Sequence, residues 1–462
     1  MARTRGVGRS VPGFRAARPA SCTLAAFVLR DAEATLTTMR PFTPLALLAV
    51  VVLSGCRPEP AAEPAPPALH QVTSWALPAT GHAAQPDLIV AADGGVLLSW
   101  IAPDGQAANS HTLKLARFAD GAWSDPQPIA RGDNWFVNWA DTPHIAATAD
   151  GALWAHWLQK SAAATYAYDV ALVRSGDGGE TWSAPVLVND DGTPTEHGFV
   201  SLWPATGNSV GVAWLDGRNT ADGGGHGSHG ADAAGADEAT MMTLRSTVFD
   251  AALQRGAEHV LDLSTCDCCQ TAAVATASGA LLTYRDRTAA EIRDIHVARF
   301  DNGAWQPVTR VHADDWTMPA CPVNGPSIAA HVDGVVVGWY TAAGGTPMVK
   351  VAHSRDSGAS FATPLVLDGG EAVQGRVSVA LDENAAWVLW LREAGGSQSL
   401  QLARFAPDLS RELQRIDVAT LQGRGRGTGF PQLALADGGA YVIWTDVVDG
   451  KPQLHGARIA AQ

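Results

Sequence analysis

The sequence predicts an all-β protein, and within that class a β-propeller of seven four-stranded blades. Three observations support this: an aromatic residue closes a short apolar strand seven times, Asp/Gly turns recur at matching positions, and a second, more amphipathic hairpin follows in each unit. Of the 462 residues, 46% are hydrophobic and 17% are charged, and 47 Gly and 27 Pro interrupt the chain. This composition excludes a disordered chain, a coiled coil and a collagen helix, and it requires a packed globular body.

The closing aromatic residues define the repeat, since they recur at intervals of 51 to 70 residues. They are Trp100, Trp157, Trp214, Tyr284, Trp339, Trp390 and Trp444. Each ends a hairpin with a small Asp/Gly turn, as in residues 89–97 and 433–441. A more amphipathic hairpin follows, for example at 113–123 and 295–305. Four strands in a unit of this length are typical of a propeller blade, and we count seven blades, with six as the alternative.

The two ends of the body complement each other. The last unit supplies only one outer strand, at residues 455–459. We expect its fourth strand to come from residues 69–77. An N-terminal strand in this place closes the ring and removes exposed sheet edges.

The first 68 residues differ in character from this body. Residues 41–53 form an apolar run that is too short to span a bilayer and fits the hydrophobic region of a secretory signal. Residues 53–56, Leu-Ser-Gly-Cys, then resemble a bacterial lipobox, which implies lipidation of Cys56. We therefore interpret residues 1–38 as an over-long N-terminal extension, 39–55 as a lipoprotein signal peptide, and 56–68 as a Pro/Ala-rich tether.

The same segment predicts the location of the protein. Arg57 follows Cys56, where the signal for retention in the inner membrane would place Asp. The resemblance thus implies an outer-membrane lipoprotein that faces the periplasm or the cell surface and is attached to the membrane by its lipid. We also expect the body to be monomeric. The formal net charge of -14 argues against nucleic acid as a partner, because an acidic protein repels phosphates.

A turn motif connects the repeat to a known family. Residues 175–182, Ser-Gly-Asp-Gly-Gly-Glu-Thr-Trp, match the Asp-box pattern at every position, and residues 354–361 are a degenerate second copy. In such a turn, Ser and Asp side chains bind backbone N–H groups, Gly takes a positive φ, and the aromatic ring fills the space between strands. The body, roughly residues 70–460, thereby resembles the sialidase superfamily and related BNR-repeat propellers. The resemblance implies that these turns lie on the face away from the active site.

Propeller geometry divides the loops between two faces. Connections between blades share one face with the connections from second to third strands, and we expect function there. The inter-blade loops on this face are predicted at 130–143, 189–198, 262–270, 312–325, 369–376 and 419–430.

Four cysteines fall on this face. Cys266, Cys268 and Cys269 precede the first strand of the fourth blade, and Cys321 precedes that of the fifth. The repeat register therefore predicts that these thiols converge near the axis. Two interpretations stay open: a pair of disulfides, favoured by an oxidising compartment and an even count, or a site for a soft metal ion, Cu(I) or Zn²⁺.

The longest insertion, residues 216–241, offers further ligands for such a metal. It contains His226 and His229, and it is either a solvated excursion or a binding loop. Met318, three residues before Cys321, offers a thioether. We predict these three residues as additional ligands of the metal site.

Arginines form a second group on the same loops: Arg218, Arg287, Arg376 and Arg392. Sialidases hold a substrate carboxylate with three arginines, because the planar guanidinium pairs with it bidentately. The resemblance therefore implies an arginine clamp for an acidic ligand. Surface arginines paired with neighbouring acids are the alternative.

The resemblance does not extend to every family motif. Residues 85–90 read Gln-Pro-Asp-Leu-Ile-Val in place of the family's Arg-Ile-Pro motif, so the first clamp arginine is missing. The family also uses a Tyr nucleophile with a nearby Glu, and a separate Asp as acid/base. Tyr168 and Glu196 lie near the predicted face, and Asp216 and Asp286 are the candidates for the acid.

The sequence therefore predicts a lipid-anchored, sialidase-like propeller of the cell envelope that binds a small anionic or glycan ligand. If it is catalytic, it is an exo-acting glycoside hydrolase. The alternatives are a periplasmic copper- or zinc-handling protein and a non-catalytic scaffold for a protein partner. Hydrolysis of a sialoside would indicate the first, bound metal the second, and neither the third.

Overall fold

A computed structural model describes residues 69–78, 81–107, 109–220 and 241–461. These residues form seven antiparallel sheets, each with four strand positions, and contain no α-helix. The first strands of successive sheets contact one another in order, and the last of them contacts the first. The sheets are therefore the blades of a closed seven-bladed β-propeller, which confirms the predicted fold class and the count of seven.

Strand β1, His70–Ser74, comes first in the chain. Blade one contains β2 Ala84–Val90, β3 Val96–Pro103, β4 His111–Ala119 and an outer strand in two parts, β5 Ala122–Trp123 and β6 Gln127–Gly132. Blade two contains β7 Ile145–Ala147, β8 Leu153–Lys160, β9 Tyr168–Ser175 and β10 Val186–Leu187. Blade three contains β11 His197–Pro204, β12 Val210–Asp216, β13 Thr243–Phe249 and β14 His259–Asp262.

Blade four contains β15 Ala272–Thr276, β16 Gly279–Arg285, β17 Ile295–Asp301 and a divided outer strand, β18 Ala304–Trp305 and β19 Thr309–Arg310. Blade five contains β20 Ser327–His331, β21 Gly334–Thr341, β22 Met348–Ser354 and β23 Leu365–Gly369. Blade six contains β24 Val373–Leu381, β25 Ala386–Ala394, β26 Ser397–Phe405 and β27 Glu412–Leu421. Blade seven contains β28 Gln432–Ala436, β29 Gly439–Val448 and β30 Lys451–Ala461. Short 3₁₀ turns occur at Thr206–Asn208, Ala343–Gly345 and Gly425–Thr428.

The N-terminal strand completes blade seven, as predicted. β1 pairs with β30 in antiparallel register from His70 opposite Ala461 to Ser74 opposite Ala457. Trp75 continues this pairing, because its backbone N–H donates to the carbonyl of Gly456 at 2.9 Å. The N-terminal strand β1 and the C-terminal strand β30 thus share one sheet, so the outer edge of β30 is covered.

The seven closing aromatic residues occupy equivalent places. Each lies in the second strand of its blade, and each is buried, with at most 8% of its surface exposed. Apolar clusters that span neighbouring blades contain these rings. The repeat recognised in the sequence is therefore a packing repeat, in which a large ring fills the space between two twisted sheets.

Both Asp boxes form the same turn between the third and fourth strands. In the first box, Ser175 Oγ accepts the N–H of Gly179 at 2.9 Å, and Asp177 accepts the N–H of Thr181 at 2.9 Å. Gly179 has φ of 97°, and a Cβ there would lie 2.9 Å from a methyl carbon of Leu115. Glycine is thus required by both the backbone and the packing. The second box repeats these hydrogen bonds from Ser354 and Asp356.

The inter-blade loops lie within four residues of their predicted boundaries, at 133–144, 188–196, 263–271, 311–326, 370–372 and 422–431. The predicted extension, signal peptide and tether, including Cys56, lie outside the described residues, as do His226 and His229. Among the residues that are described, no helix is long and apolar enough to cross a bilayer.

Candidate functional site

A pocket of about 210 Å³ opens on the face formed by the inter-blade loops. Residues from blades two, three, four, five and seven line it, so it lies where the loops meet around the axis. Its wall has three chemically different parts: aromatic rings, a pair of carboxyl groups with a tyrosine, and thiols. Arg426 completes the lining from blade seven.

The thiol part of the wall brings together cysteines from two loops. The Cys266 thiol donates a hydrogen bond to the sulfur of Cys269 at 2.9 Å, and the sulfur of Cys268 lies 3.9 Å from that of Cys266. All three sulfur atoms lie within 4.8 Å of one another. Cys321 reaches the same pocket beside Cys268. The structure therefore gathers the four cysteines that the repeat register placed together, and all four carry free thiols.

Backbone contacts hold the cysteine loop in place. The N–H of Cys266 donates to the carbonyl of Arg285 at 3.0 Å, and the Thr271 hydroxyl donates to the carbonyl of Phe199 at 2.8 Å. Cys266 and Cys269 are 1% exposed and Cys268 is 4% exposed. The three cysteines thus lie in a buried loop that borders the pocket through Cys268, whereas Cys321 is only half-buried.

The three clustered thiols differ in acidity. Burial raises the pKa of Cys266 to about 11 and that of Cys268 well above its ordinary value. Burial acts in the same direction on Cys269. There, hydrogen bonds from Cys266 and Cys268 and the nearby Arg285 guanidinium outweigh it and hold the pKa well below its ordinary value. The cluster therefore favours one thiolate, on Cys269, solvated by two neighbouring thiols.

Two buried arginines surround this cluster. The Arg285 guanidinium donates to the carbonyls of Arg293, Asn324 and Tyr340 at 2.7 to 3.2 Å. Arg293 binds the carboxylate of Glu291 at 2.7 Å, while its Nη1 is buried without a hydrogen-bond partner. Their positive charge favours anionic sulfur in the cluster. The sequence analysis did not identify Arg293, because it lies outside the predicted inter-blade loops, two residues before the hairpin at 295–305.

The carboxyl part of the wall is centred on Tyr168. Its hydroxyl donates to Glu196 Oε1 at 2.7 Å and lies 3.1 Å from Asp141 Oδ2, and its ring stacks on Phe136 with centroids 4.2 Å apart. Burial and the neighbouring Glu196 charge raise the pKa of Asp141 to about 7. Burial and the same carboxylates raise the pKa of Tyr168 well above its ordinary value. Tyr168 is therefore a neutral hydrogen-bond donor here.

Tyr168 and Glu196 are where the sequence placed them, whereas Asp141 was missed. It lies within the first predicted inter-blade loop, 130–143, and its Oδ1 accepts the N–H of Phe199 at 2.7 Å. A loop carboxylate two residues after Trp139 has no distinctive spacing in the sequence. Only the contact between blades two and three identifies it.

The predicted acids Asp216 and Asp286 do not line the pocket. Asp216 is completely buried and binds Arg218 at 2.7 Å and the Trp214 indole N–H at 2.7 Å. This buried position does not suit an acid that must reach a ligand. Asp286 lies between blades three and four, where burial and the charge of Asp262 raise its pKa to about 7.

The four predicted clamp arginines are bound to the protein itself. Three of them form ion pairs: Arg218 with Asp216 and Glu258, Arg287 with Asp267 and Glu291, and Arg392 with Asp368 at 3.4 Å. The fourth, Arg376, donates hydrogen bonds to the Thr428 hydroxyl and to the carbonyls of Gly425 and Gly429. None of the four lines the pocket. In the structure these guanidinium groups hold loops and strands together, and the arginine clamp stays a prediction.

Met318 is half-buried, and its N–H donates to the carbonyl of Glu291 at 2.9 Å. It does not line the pocket either. The four cysteines are therefore the predicted metal ligands that the structure brings together, among those that it describes.

The fold and the site define a seven-bladed β-propeller with a thiol-lined pocket at its axis. No family model and no curated protein matches the sequence. Solved structures with a similar fold include sialidases and other glycan-active propellers, as the Asp boxes led us to expect. At these low identities the likeness concerns the fold alone.

Three of these structures span most of the chain. A protein of unknown function from Dyadobacter fermentans is 14% identical, with 83% of this chain and 95% of that chain covered and a TM-score of 0.43. The leech intramolecular trans-sialidase is 11% identical, with 82% and 68% covered and a TM-score of 0.45. The α-L-arabinanase of Penicillium chrysogenum is 13% identical, with 82% and 94% covered and a TM-score of 0.42.

Proposed function

We propose that this propeller binds a soft metal ion, Cu(I) or Zn²⁺, through Cys266, Cys268 and Cys269, with Cys321 as a fourth ligand on the pocket side. One observation carries the proposal: three sulfur atoms lie within 4.8 Å of one another in a buried loop that borders an open pocket. Thiolate ligands select Cu(I) and Zn²⁺ among the common metal ions.

The charges around the cluster suit such a complex. Three thiolates and one Cu(I), or four thiolates and one Zn²⁺, each carry a net charge of about -2 by formal counting. Arg285 and Arg293 lie beside the cluster and offset this charge. One thiolate is already favoured on Cys269, and metal binding releases the protons of the other thiols.

The coordination number distinguishes the two ions. Zn²⁺ in a structural site takes four ligands in a tetrahedron, so it would require Cys321 as well as the three clustered cysteines. The three clustered sulfur atoms alone would serve Cu(I). A Cys321→Ser variant should therefore weaken Zn²⁺ binding strongly and Cu(I) binding little.

The test uses the full chain, isolated from the periplasm without air and freed of metal. We expect elemental analysis before metal removal to find close to one Cu or Zn per chain. Competition with a chromogenic chelator should then show tight binding that Cys269→Ser abolishes, with circular dichroism to confirm that the variant is folded. Four oxidised cysteines and no metal in the isolated protein would overturn the proposal.

A second candidate function rests on the opposite wall of the same pocket. Tyr168 and the carboxyl groups of Asp141 and Glu196 lie beside the aromatic rings of Phe136 and Trp139, a combination that suits a saccharide. A carboxyl with a pKa of about 7, as at Asp141, suits a general acid at neutral pH. We propose that this wall binds a glycan, and that it hydrolyses one if the protein is an enzyme.

A fluorogenic sialoside tests this second candidate. Turnover that Asp141→Asn abolishes, while the exposed control Asp120→Asn retains it, would support a glycoside hydrolase. If the folded, metal-loaded protein does not turn over the sialoside, glycoside hydrolysis is excluded and metal binding is the sole proposal for the pocket.

We also retain the lipid anchor on Cys56 and the outer-membrane location as proposals, supported by the signal-like residues 39–57. Mass spectrometry of the N-terminal peptide of the mature protein tests both the cleavage site and the lipid. An unmodified Cys56 in membrane fractions would contradict the anchor.

A further inference from the structure

A second group of metal-ligating side chains lies between blades three and four and does not line the pocket. It consists of Asp262 at the end of β14, Asp286 just after β16, and His296 in β17. One carboxylate oxygen of each Asp and one ring nitrogen of His296 all lie within 4.8 Å of one another.

The pairing of strands brings these residues together. His296 lies directly opposite Tyr284 in the β16–β17 ladder, and Asp286 follows Tyr284 by two residues. An isolated bridge between Thr265 and Asp286 brings the chain that leaves β14 against blade four. The Tyr284 hydroxyl donates to Asp262 Oδ2, which joins the two blades at this point.

No arginine or lysine of the described residues forms an ion pair with the two carboxyl groups of this cluster. His296 makes the one contact of a basic side chain with these carboxyl groups in the described part of the chain, because its Nδ1 lies 3.5 Å from Asp286 Oδ2. Its Nδ1 is buried and has no hydrogen-bond partner. Two carboxylates and an unpartnered imidazole nitrogen therefore face the same point.

A similar group in blade three differs in this respect. There, Asp191, His197 and Asp216 also lie close together. Arg218 binds Asp216 at 2.7 Å and lies 3.5 Å from Asp191, so positive charge is already present. This comparison isolates the unusual feature of the blade-four group, which is the absence of an arginine or lysine partner in the described part of the chain.

We propose that Asp262, Asp286 and His296 bind a divalent transition-metal ion, of the Mn²⁺ or Zn²⁺ kind, that links blade three to blade four. Such ions bind carboxylate oxygens and imidazole nitrogens, whereas Cu(I) is selected by thiolates. The Tyr284 hydroxyl orients Asp262 from behind, as outer hydrogen bonds commonly do at metal sites. This site is independent of the proposed thiol site.

Mn²⁺ is the probe that tests the proposal, because carboxylates bind it and thiolates do not favour it. The metal-free full chain is titrated with Mn²⁺, and the free ion is followed by its paramagnetic resonance signal. We expect one Mn²⁺ per chain and a higher melting temperature on binding. Cys269→Ser should bind Mn²⁺ as the wild type does, which separates this site from the thiol cluster.

The variants Asp286→Asn and His296→Gln should each weaken Mn²⁺ binding at least tenfold, whereas His331→Ala, an exposed histidine, should leave it unchanged. Asp286→Asn also tests the carboxylate repulsion directly. Without metal it should melt at or above the temperature of the wild type, and added Mn²⁺ should not raise that temperature. Absence of Mn²⁺ binding to the wild type, or equal binding by Asp286→Asn, would overturn the proposal.

Discussion

The sulfur atoms of Cys266 and Cys269 lie 2.9 Å apart, and the Cys266 thiol donates to Cys269. These two cysteines are separated by two residues, so a Cys-x-x-Cys spacing is contained within the Cys-x-Cys-Cys run. In this geometry Cys269 accepts hydrogen bonds from the thiols of Cys266 and Cys268, so it is the cysteine that most favours the thiolate form.

We predict that the reduced, metal-free protein forms one thiolate well below the pH at which an ordinary thiol ionises. The cause is the pair of thiol hydrogen bonds to Cys269 together with the Arg285 guanidinium. Absorbance at 240 nm, followed against pH, measures thiolate. Cys269→Ser should remove the early step and Cys321→Ser should keep it; an unchanged curve for Cys269→Ser would contradict this assignment.

The fold could be predicted from the sequence because one physical requirement repeats. Each blade needs a large ring in its second strand, and residues such as Trp214 and Trp390 recur at blade-length spacing. The ring closure followed from counting strands, since the last unit lacked one. The convergence of Cys268 and Cys321 followed in turn from their equivalent places before first strands.

The contacts that decide chemistry could not be predicted in the same way. The carboxyl groups of Asp262 and Asp286 lie close together although they belong to different blades. Asp141 likewise contacts Tyr168, which also binds Glu196, although the three residues are far apart in the sequence. Such meetings depend on strand twist and side-chain direction, which spacing does not encode. Arg376 shows the same limit: it lies on the expected face, but the sequence does not reveal that its guanidinium N–H groups donate to Thr428 and to two loop carbonyls.

Trp75 tests how the ring is closed. Its ring packs against Tyr441 of blade seven and against Phe118 and Trp123 of blade one, with centroids 4.6 to 5.2 Å apart. Trp75→Ala should lower the free energy of unfolding by about 3–5 kcal/mol, as for other buried aromatic truncations. Urea denaturation measures this. The control Leu69→Ala, at a position 67% exposed, should change the free energy of unfolding by less than about 0.5 kcal/mol. A similarly small loss for Trp75→Ala would show that closure of the propeller does not depend on the Trp75 indole.

The two Asp boxes should contribute to stability independently. Ser175 and Ser354 are buried, and each accepts a backbone N–H at 2.9 Å. Replacing either by Ala leaves a buried donor unsatisfied and should cost about 1–3 kcal/mol. The boxes lie in blades two and five, so the double variant should show the sum to within about 0.5 kcal/mol. Chemical denaturation of the single and double variants gives these values, and a strongly non-additive result would mean that the blades are coupled.

The buried carboxyl of Asp141 should make stability depend on pH. Its pKa is about 7 in the folded protein, against 3.8 in an exposed carboxyl, because burial and the Glu196 charge oppose ionisation. Between these values the folded state keeps the proton and the unfolded state loses it. Stability therefore falls as pH rises from about 4 to about 7, by up to about 4 kcal/mol from this group.

Asp141→Asn isolates this contribution. The asparagine oxygen can still accept the N–H of Phe199, and its amide can donate to the Tyr168 hydroxyl, so the hydrogen bonds of the pocket wall are kept. We expect the variant to lose less stability than the wild type between pH 4 and 7 and to be the more stable of the two at pH 8. Asp120→Asn, an exposed substitution, should follow the wild-type curve. Urea denaturation at each pH measures all three proteins. Parallel curves for Asp141→Asn and the wild type would mean that Asp141 is ionised in the folded state, and the case for a protonated acid in this pocket would fail with it.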